Sequence, residues 1–123
     1  MNVTTASLTP ERMASEIVDL AADRKALDIV ALDLRGMIGY ADYFVICTGR
    51  SDRQTKAIHD GIHAGMKSEY GLLPSRVEGL NEARWVLLDY LDVIVHVFTP
   101  ETREFYRLEQ LWGEAPALAV GAA

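Results

Sequence analysis

Two runs of branched apolar residues, Arg84–Asp89 and Asp92–Phe98, stand on either side of the dipeptide Tyr90-Leu91. Runs this short and this closely joined predict a β-hairpin, because two residues suffice to reverse the chain between paired strands. Placing Asp89 opposite Asp92 sets every other pair. Leu88 then faces Val93, Val86 faces Val95 and Arg84 faces Val97, while Leu87 lies beside Ile94 and Trp85 beside His96. Val86, Leu88, Val93, Val95 and Val97 make one face, which calls for a cover of helices. The other face gathers Trp85, Leu87, Ile94 and His96.

The rest of the chain supplies strands and covers. Thr9-Pro10-Glu11 opens a helix over 10–25, with a capping threonine, a proline in the first turn and an acid at the positive end of the dipole. Met13, Ile17 and Leu20 recur on it at helical spacing. A strand follows over 27–36, then a second over 42–49 whose near-continuous apolar run suits a central position. Ser51-Asp52-Arg53-Gln54 reads as a capping box, and the helix it opens ends at Tyr70-Gly71. Gly61 and Gly65 lie inside that helix, where close backbone packing would account for them. A short strand at 76–78 precedes the hairpin. Thr99-Pro100-Glu101 then opens a last helix, with Phe105, Leu108 and Leu111 as its inward stripe. The order predicts a single mixed α/β domain over 10–112, a flexible N-terminus over 1–9 and a flexible tail over 113–123.

Composition bounds the partners. Half of the 123 residues are hydrophobic, yet no run reaches the length of a membrane span. The N-terminus shows no secretory signal pattern, and the single Cys47 forms no internal disulfide, so a reducing cytoplasm is the simplest setting. Twelve Lys and Arg against eighteen Asp and Glu leave a net charge of −6. That balance suits a basic protein partner and opposes extensive binding to RNA phosphates.

Candidate chemistry is sparse. His59 and His63 have the i, i+4 spacing of a zinc pair, but Asp60 replaces the glutamate of metalloprotease motifs, and a third ligand would have to be His96 or a remote carboxylate. Two histidines on one helix are the simpler account, and no metal or cofactor is expected. The Gly49–Gln54 turn joins a strand to a helix N-terminus, as nucleotide-binding turns do. An enzyme of nucleotidyltransferase type using it is the alternative function, yet Arg76-Val77-Glu78 offers one acid where paired carboxylates would hold magnesium. Cys47 inside an apolar strand reads as a small core residue. Isolated tryptophans are usually core too, but a second apolar face containing Trp85 suits a protein-binding patch, where tryptophan is enriched among energetic hot spots.

Seven segments, taken in order, resemble one family. They are Lys25–Ile29, Ala41–Ile46, Gly49–Gln54, Glu78-Gly79, Trp85–Tyr90, Asp92–Phe98 and Arg103–Trp112. Together they resemble the ribosomal silencing factor, or Iojap-like, family over about residues 10–112. The resemblance implies a nucleotidyltransferase-like fold without the catalytic carboxylates, and therefore no enzyme activity. It implies binding to protein fourteen of the large ribosomal subunit, blockade of subunit joining and reduced translation when nutrients are scarce. It implies a homodimer as well. The family's ribosome contacts lie on the hairpin face, so the resemblance transfers that role to Trp85, with Asp89 and His96 also matching the motif; Leu87 and Ile94 share the face. Two positions depart from the family: Gly39 replaces a frequent serine, and Leu91 a usual glycine. A turn needing positive φ would strain Leu91, and a one-residue slip of register would swap the two faces.

Overall fold

The computed structural model describes residues 8–108, 110, 116 and 117. Helix α1 spans Pro10–Asp23, with the Thr9 hydroxyl accepting from the Arg12 N–H at 3.1 Å. It stops two residues before the expected end. Lys25 adopts a left-handed φ of +65°, and the amides of Lys25 and Ala26 turn back to the carbonyls of Ala22 and Ala21. This pair of bonds is a Schellman closure, in which a lysine takes the place usually held by glycine. Leu8 and Thr9 are the described part of the stretch expected to be flexible. Leu8 is buried with the core, and Thr9 is held as the cap.

Strand β1 spans Leu27–Asp33 and β2 Tyr43–Thr48. β1 ends before the expected Gly36 because the Asp33 carboxylate takes the Arg35 amide and guanidinium, turning the chain out of the strand. Helix α2, Asp52–Tyr70, is capped by Ser51 and stops at Gly71 as read, with φ +64°. The box is displaced by one residue: Gln54 Oε1 accepts from the amide of Arg50, not Ser51, at 2.7 Å. Its Nε2 also donates to the carbonyls of Arg24 and Lys25, tying the end of α1 to the start of α2. The two helix glycines mark a close crossing, since a methyl at Gly65 would stand 2.5 Å from Leu20.

β3 (Arg76–Glu78), β4 (Trp85–Asp89) and β5 (Val93–Phe98) complete a five-stranded sheet in the order β1-β2-β5-β4-β3. β2 and β5 run parallel at the centre, and every other neighbouring pair is antiparallel. Helices α1 and α2 cover one face, packing on Tyr43, Val45, Cys47, Val86, Leu88, Val93, Val95 and Val97. Helix α3, Pro100–Tyr106, follows β5.

The hairpin forms in a different register from the one read. Leu88 pairs with Val95, Val86 with Val97 and Trp85 with Phe98. The loop is Leu91-Asp92 rather than Tyr90-Leu91, closed by the Tyr90 amide on the Val93 carbonyl at 2.9 Å. Leu91 takes φ +75°, and the Asp89 carboxylate accepts its amide at 2.8 Å. Moving the loop along by one residue moves every partner by two. An even shift keeps each side chain on its own face, so the two-faced reading survives.

The last helix is shorter than its apolar stripe implied. Arg107 turns left-handed with φ +47°, so Phe105 faces solvent at 79% exposure instead of pointing inward. Leu108 does pack inward, on the uncovered side of the sheet. Leu111 lies outside the described residues. Of the tail 113–123, Pro116 and Ala117 are described; they lie along β1, where the Asp33 amide donates to the Pro116 carbonyl.

Candidate functional site

The face opposite α1 and α2 gathers several rings, where the covered face is mainly aliphatic with Tyr43 among its residues. Strand alternation brings Phe44 and Ile46 of β2, Ile94, His96 and Phe98 of β5, and Trp85, Leu87 and Asp89 of β4 to this side. Trp85 sits diagonally from His96, and its indole N–H donates to His96 Nδ1 at 3.0 Å. Indole nitrogen is a donor only, so His96 accepts at Nδ1 and carries its own proton on Nε2. Trp85 stacks obliquely on Phe98 with centroids 5.0 Å apart and on Tyr106 of α3 at 4.8 Å. His96 in turn lies 4.7 Å from the Phe44 ring.

Burial holds the imidazole neutral, pushing its pKa from an ordinary 6.5 down to about 4. Nε2 is buried without a hydrogen-bond partner among the described residues. The backbone before Trp85 is equally constrained. Gly79 has φ +80°, and a Cβ there would stand 2.0 Å from the Trp85 carbonyl oxygen, so only glycine lets the β3–β4 connection pass behind it.

The sequence-predicted residues gather on one face but differ in access. Trp85 and Leu87 are half-buried, whereas Ile94 and His96 are buried in a cluster with Leu32, Leu34, Phe44 and Phe98. Asp89 serves the hairpin itself, accepting from the Leu91 amide and from Arg76 Nε at 3.3 Å. Tyr106 and Phe98 were missed as members of the site. Phe98 ends the β5 run that placed Ile94 and His96, so alternation alone could have found it. Tyr106 could not be found that way, because its contact with Trp85 depends on where α3 stops. Beside these rings an open groove of about 640 Å³ is lined by Val77, Leu80, Asn81, Trp85, Thr102 and Tyr106, among others.

His59 is buried, with Nδ1 2.9 Å from Asp60 Oδ1, and its ring lies 5.5 Å from that of His63. Among the described residues no three metal-capable side chains converge. In the Gly49–Gln54 turn the Gly49 amide donates to the Phe98 carbonyl, the Arg50 amide to Gln54 Oε1 and the Gln54 amide to the Ser51 hydroxyl. Cys47 is fully buried, and burial pushes its thiol up to about 12. No described helix is long and apolar enough to cross a membrane.

Fold and site together define a two-layer α/β protein with one helix-covered sheet face and one aromatic face. The family model described as ribosomal silencing factor during starvation matches residues 7–122, and the chain belongs to that family. It is 50% identical over 94 residues to ribosomal silencing factor RsfS of Bacillus subtilis, covering 76% of this chain and 79% of the relative. Over 102 residues it is 34% identical to the chloroplastic Iojap protein of Arabidopsis thaliana, covering 83% of this chain and 42% of that longer one. A crystal structure of a Chromobacterium violaceum protein superposes with a TM-score of 0.82 at 34% identity, covering 94% of this chain and 96% of the other.

Proposed function

We propose that this protein binds protein fourteen of the large ribosomal subunit through the aromatic sheet face and blocks joining of the small subunit. It acts in the cytoplasm, without catalysis, to lower translation under nutrient limitation or in stationary phase. By mass action, each bound large subunit leaves the association equilibrium. The free protein is a homodimer in this reading, as the family resemblance implies.

The observation that carries the proposal is the Trp85–His96 bond inside an aromatic cluster whose outer rings stay accessible. Trp85 is half-buried and Tyr106 is 52% exposed, beside an open groove. Large, rigid rings held in place lose little entropy on docking, which is why tryptophan and tyrosine dominate binding hot spots. The net charge of −6 further favours a basic ribosomal protein as the partner. Leu87 supplies adjoining apolar area, while Ile94 and His96 support the rings from beneath and Asp89 holds the hairpin that presents them.

Sucrose-gradient sedimentation tests this directly. The wild type is expected to co-migrate with the large subunit and to suppress joined ribosomes. Trp85→Ala is expected to lose about 2 kcal/mol or more of binding, a drop of roughly thirtyfold. A fold check by circular dichroism accompanies it, because Trp85 also packs on Phe98. Equal affinity for the folded variant would remove Trp85 from the site, and a wild type that ignores the large subunit would end the proposal.

A further inference from the structure

Trp85 and His96 are held by elements of unequal firmness. His96 lies in β5, which is bonded to β2 on one side and β4 on the other, and it pairs there with Ile46 and Leu87. Its ring is 4% exposed, 4.7 Å from Phe44, and stacked within 10° of parallel on Phe98 at 6.1 Å. Trp85 is instead the first residue of β4, following a connection in which Gly79 and Ala83 both take left-handed φ.

Ring contacts alone define the indole poorly. It meets Phe98 and Tyr106 at 35° and 48°, neither the offset stack nor the edge-to-face arrangement that ring quadrupoles favour. The tryptophan χ2 torsion is broad, so packing selects one orientation only weakly. The directional contact is the bond from the indole N–H to His96 Nδ1, 3.0 Å long. β5 is otherwise apolar, with Val93-Ile94-Val95 before His96 and Val97-Phe98 after it. A phenyl ring at position 96 would fill similar space without burying an unpartnered Nε2, so fold stability does not call for an imidazole. What the imidazole adds is a buried acceptor aimed at Trp85.

We infer that His96 is a positioning residue for partner binding, which accepts the Trp85 indole N–H from inside the sheet and holds that ring in its docking orientation. The inference rests on the proposed function, in which Trp85 is a docking anchor, and deepens it in two ways. An indole ordered beforehand does not have to be ordered at the encounter, so the bond adds to affinity without touching the partner. The indole nitrogen is the only polar atom of that side chain and it is engaged internally. Trp85 therefore offers the partner ring surface, which an aliphatic stem or another ring can cover, and no hydrogen-bond donor.

A double-mutant cycle tests this. Affinity for purified large subunits is measured for the wild type, His96→Phe, His96→Asn, Trp85→Phe and the combined Trp85→Phe, His96→Phe variant. NMR of the indole N–H groups accompanies it in the free proteins, where Trp85→Phe removes the Trp85 signal and leaves that of Trp112. His96→Phe keeps a ring and loses the acceptor. It is expected to bind about fivefold more weakly, the factor that one net hydrogen bond is worth, without a lower denaturation midpoint. Its Trp85 indole proton should exchange faster with solvent. Asparagine carries an acceptor oxygen close to the place of Nδ1, so His96→Asn should recover both affinity and indole protection. In the Trp85→Phe background, His96→Phe should leave affinity unchanged, because no indole N–H remains to be held. An equal loss in both backgrounds overturns the inference and leaves the proposed function standing, as does wild-type affinity in folded His96→Phe. His96→Leu, which also lacks the acceptor, replaces His96→Phe if the phenyl ring prevents folding, and the same outcomes decide. A wild type that does not bind large subunits overturns the proposed function and the inference with it.

Discussion

The two faces of one sheet are built differently. Under α1 and α2, the β4 and β5 residues are Val86, Leu88, Val93, Val95 and Val97, all fully buried. On the other side the same strands carry Trp85, Leu87, Ile94, His96 and Phe98, a mixture of rings, aliphatics and one buried polar bond. Branched aliphatics pack densely against helices, and the same cluster also buries the Tyr43 and Tyr90 hydroxyls without a hydrogen-bond partner among the described residues. Rings with polar edges suit a surface that must be ordered before a partner arrives, at the cost of burying His96 with an unpartnered Nε2. One face holds the domain together, and the other is where recognition is proposed.

Neighbouring leucines on opposite faces give the widest contrast. Leu88→Ala is expected to destabilise by roughly 2–5 kcal/mol, a large share of a small domain's stability. Chemical denaturation of that variant should show a collapsed midpoint, and any loss of ribosome binding should follow the unfolded fraction.

Acid should act on the aromatic face next. His96 is neutral when folded, with its pKa pushed down to about 4, and titrates near 6.5 when unfolded. Its contribution is complete above 6.5 and is lost as pH falls toward 4, because only the unfolded state binds the proton in that window. The loss is on the order of 3 kcal/mol, readable as a falling melting temperature between those pH values. In His96→Leu that part of the slope should disappear; an unchanged slope would mean that another group carries it.

Leu87→Ala is expected to cost only about 1 kcal/mol of stability, since this side chain is half-buried, but to weaken ribosome binding measurably. A stability loss as large as that of Leu88→Ala would erase the distinction between the faces. The smallest effect is at the turn that sets their register. Leu91 is 64% exposed with φ +75°, so Leu91→Gly relieves backbone strain and gives up little burial. A gain of about 0.5–1 kcal/mol is expected after the added unfolded-state entropy of glycine, measured as a higher denaturation midpoint.

Local chemistry was enough for much of this molecule. Thr9, Ser51 and Gly71 act at helix ends through their own side chains or backbone freedom, so those ends were legible residue by residue. Alternation along β4 and β5 has a period of two, so it placed Trp85, Leu87, Ile94 and His96 on one face even with the pairing shifted. The shift itself depended on Leu91 accepting a left-handed conformation held by the Asp89 carboxylate, an energy balance that apolar pattern does not contain. Tyr106 joined the site, and Phe105 turned outward, because α3 stops at Arg107. Caps, periodicities and family motifs are short-range properties of the chain and were determined by sequence alone. Register and access join residues far apart in sequence, and only the packing of the whole sheet and its helices decided them.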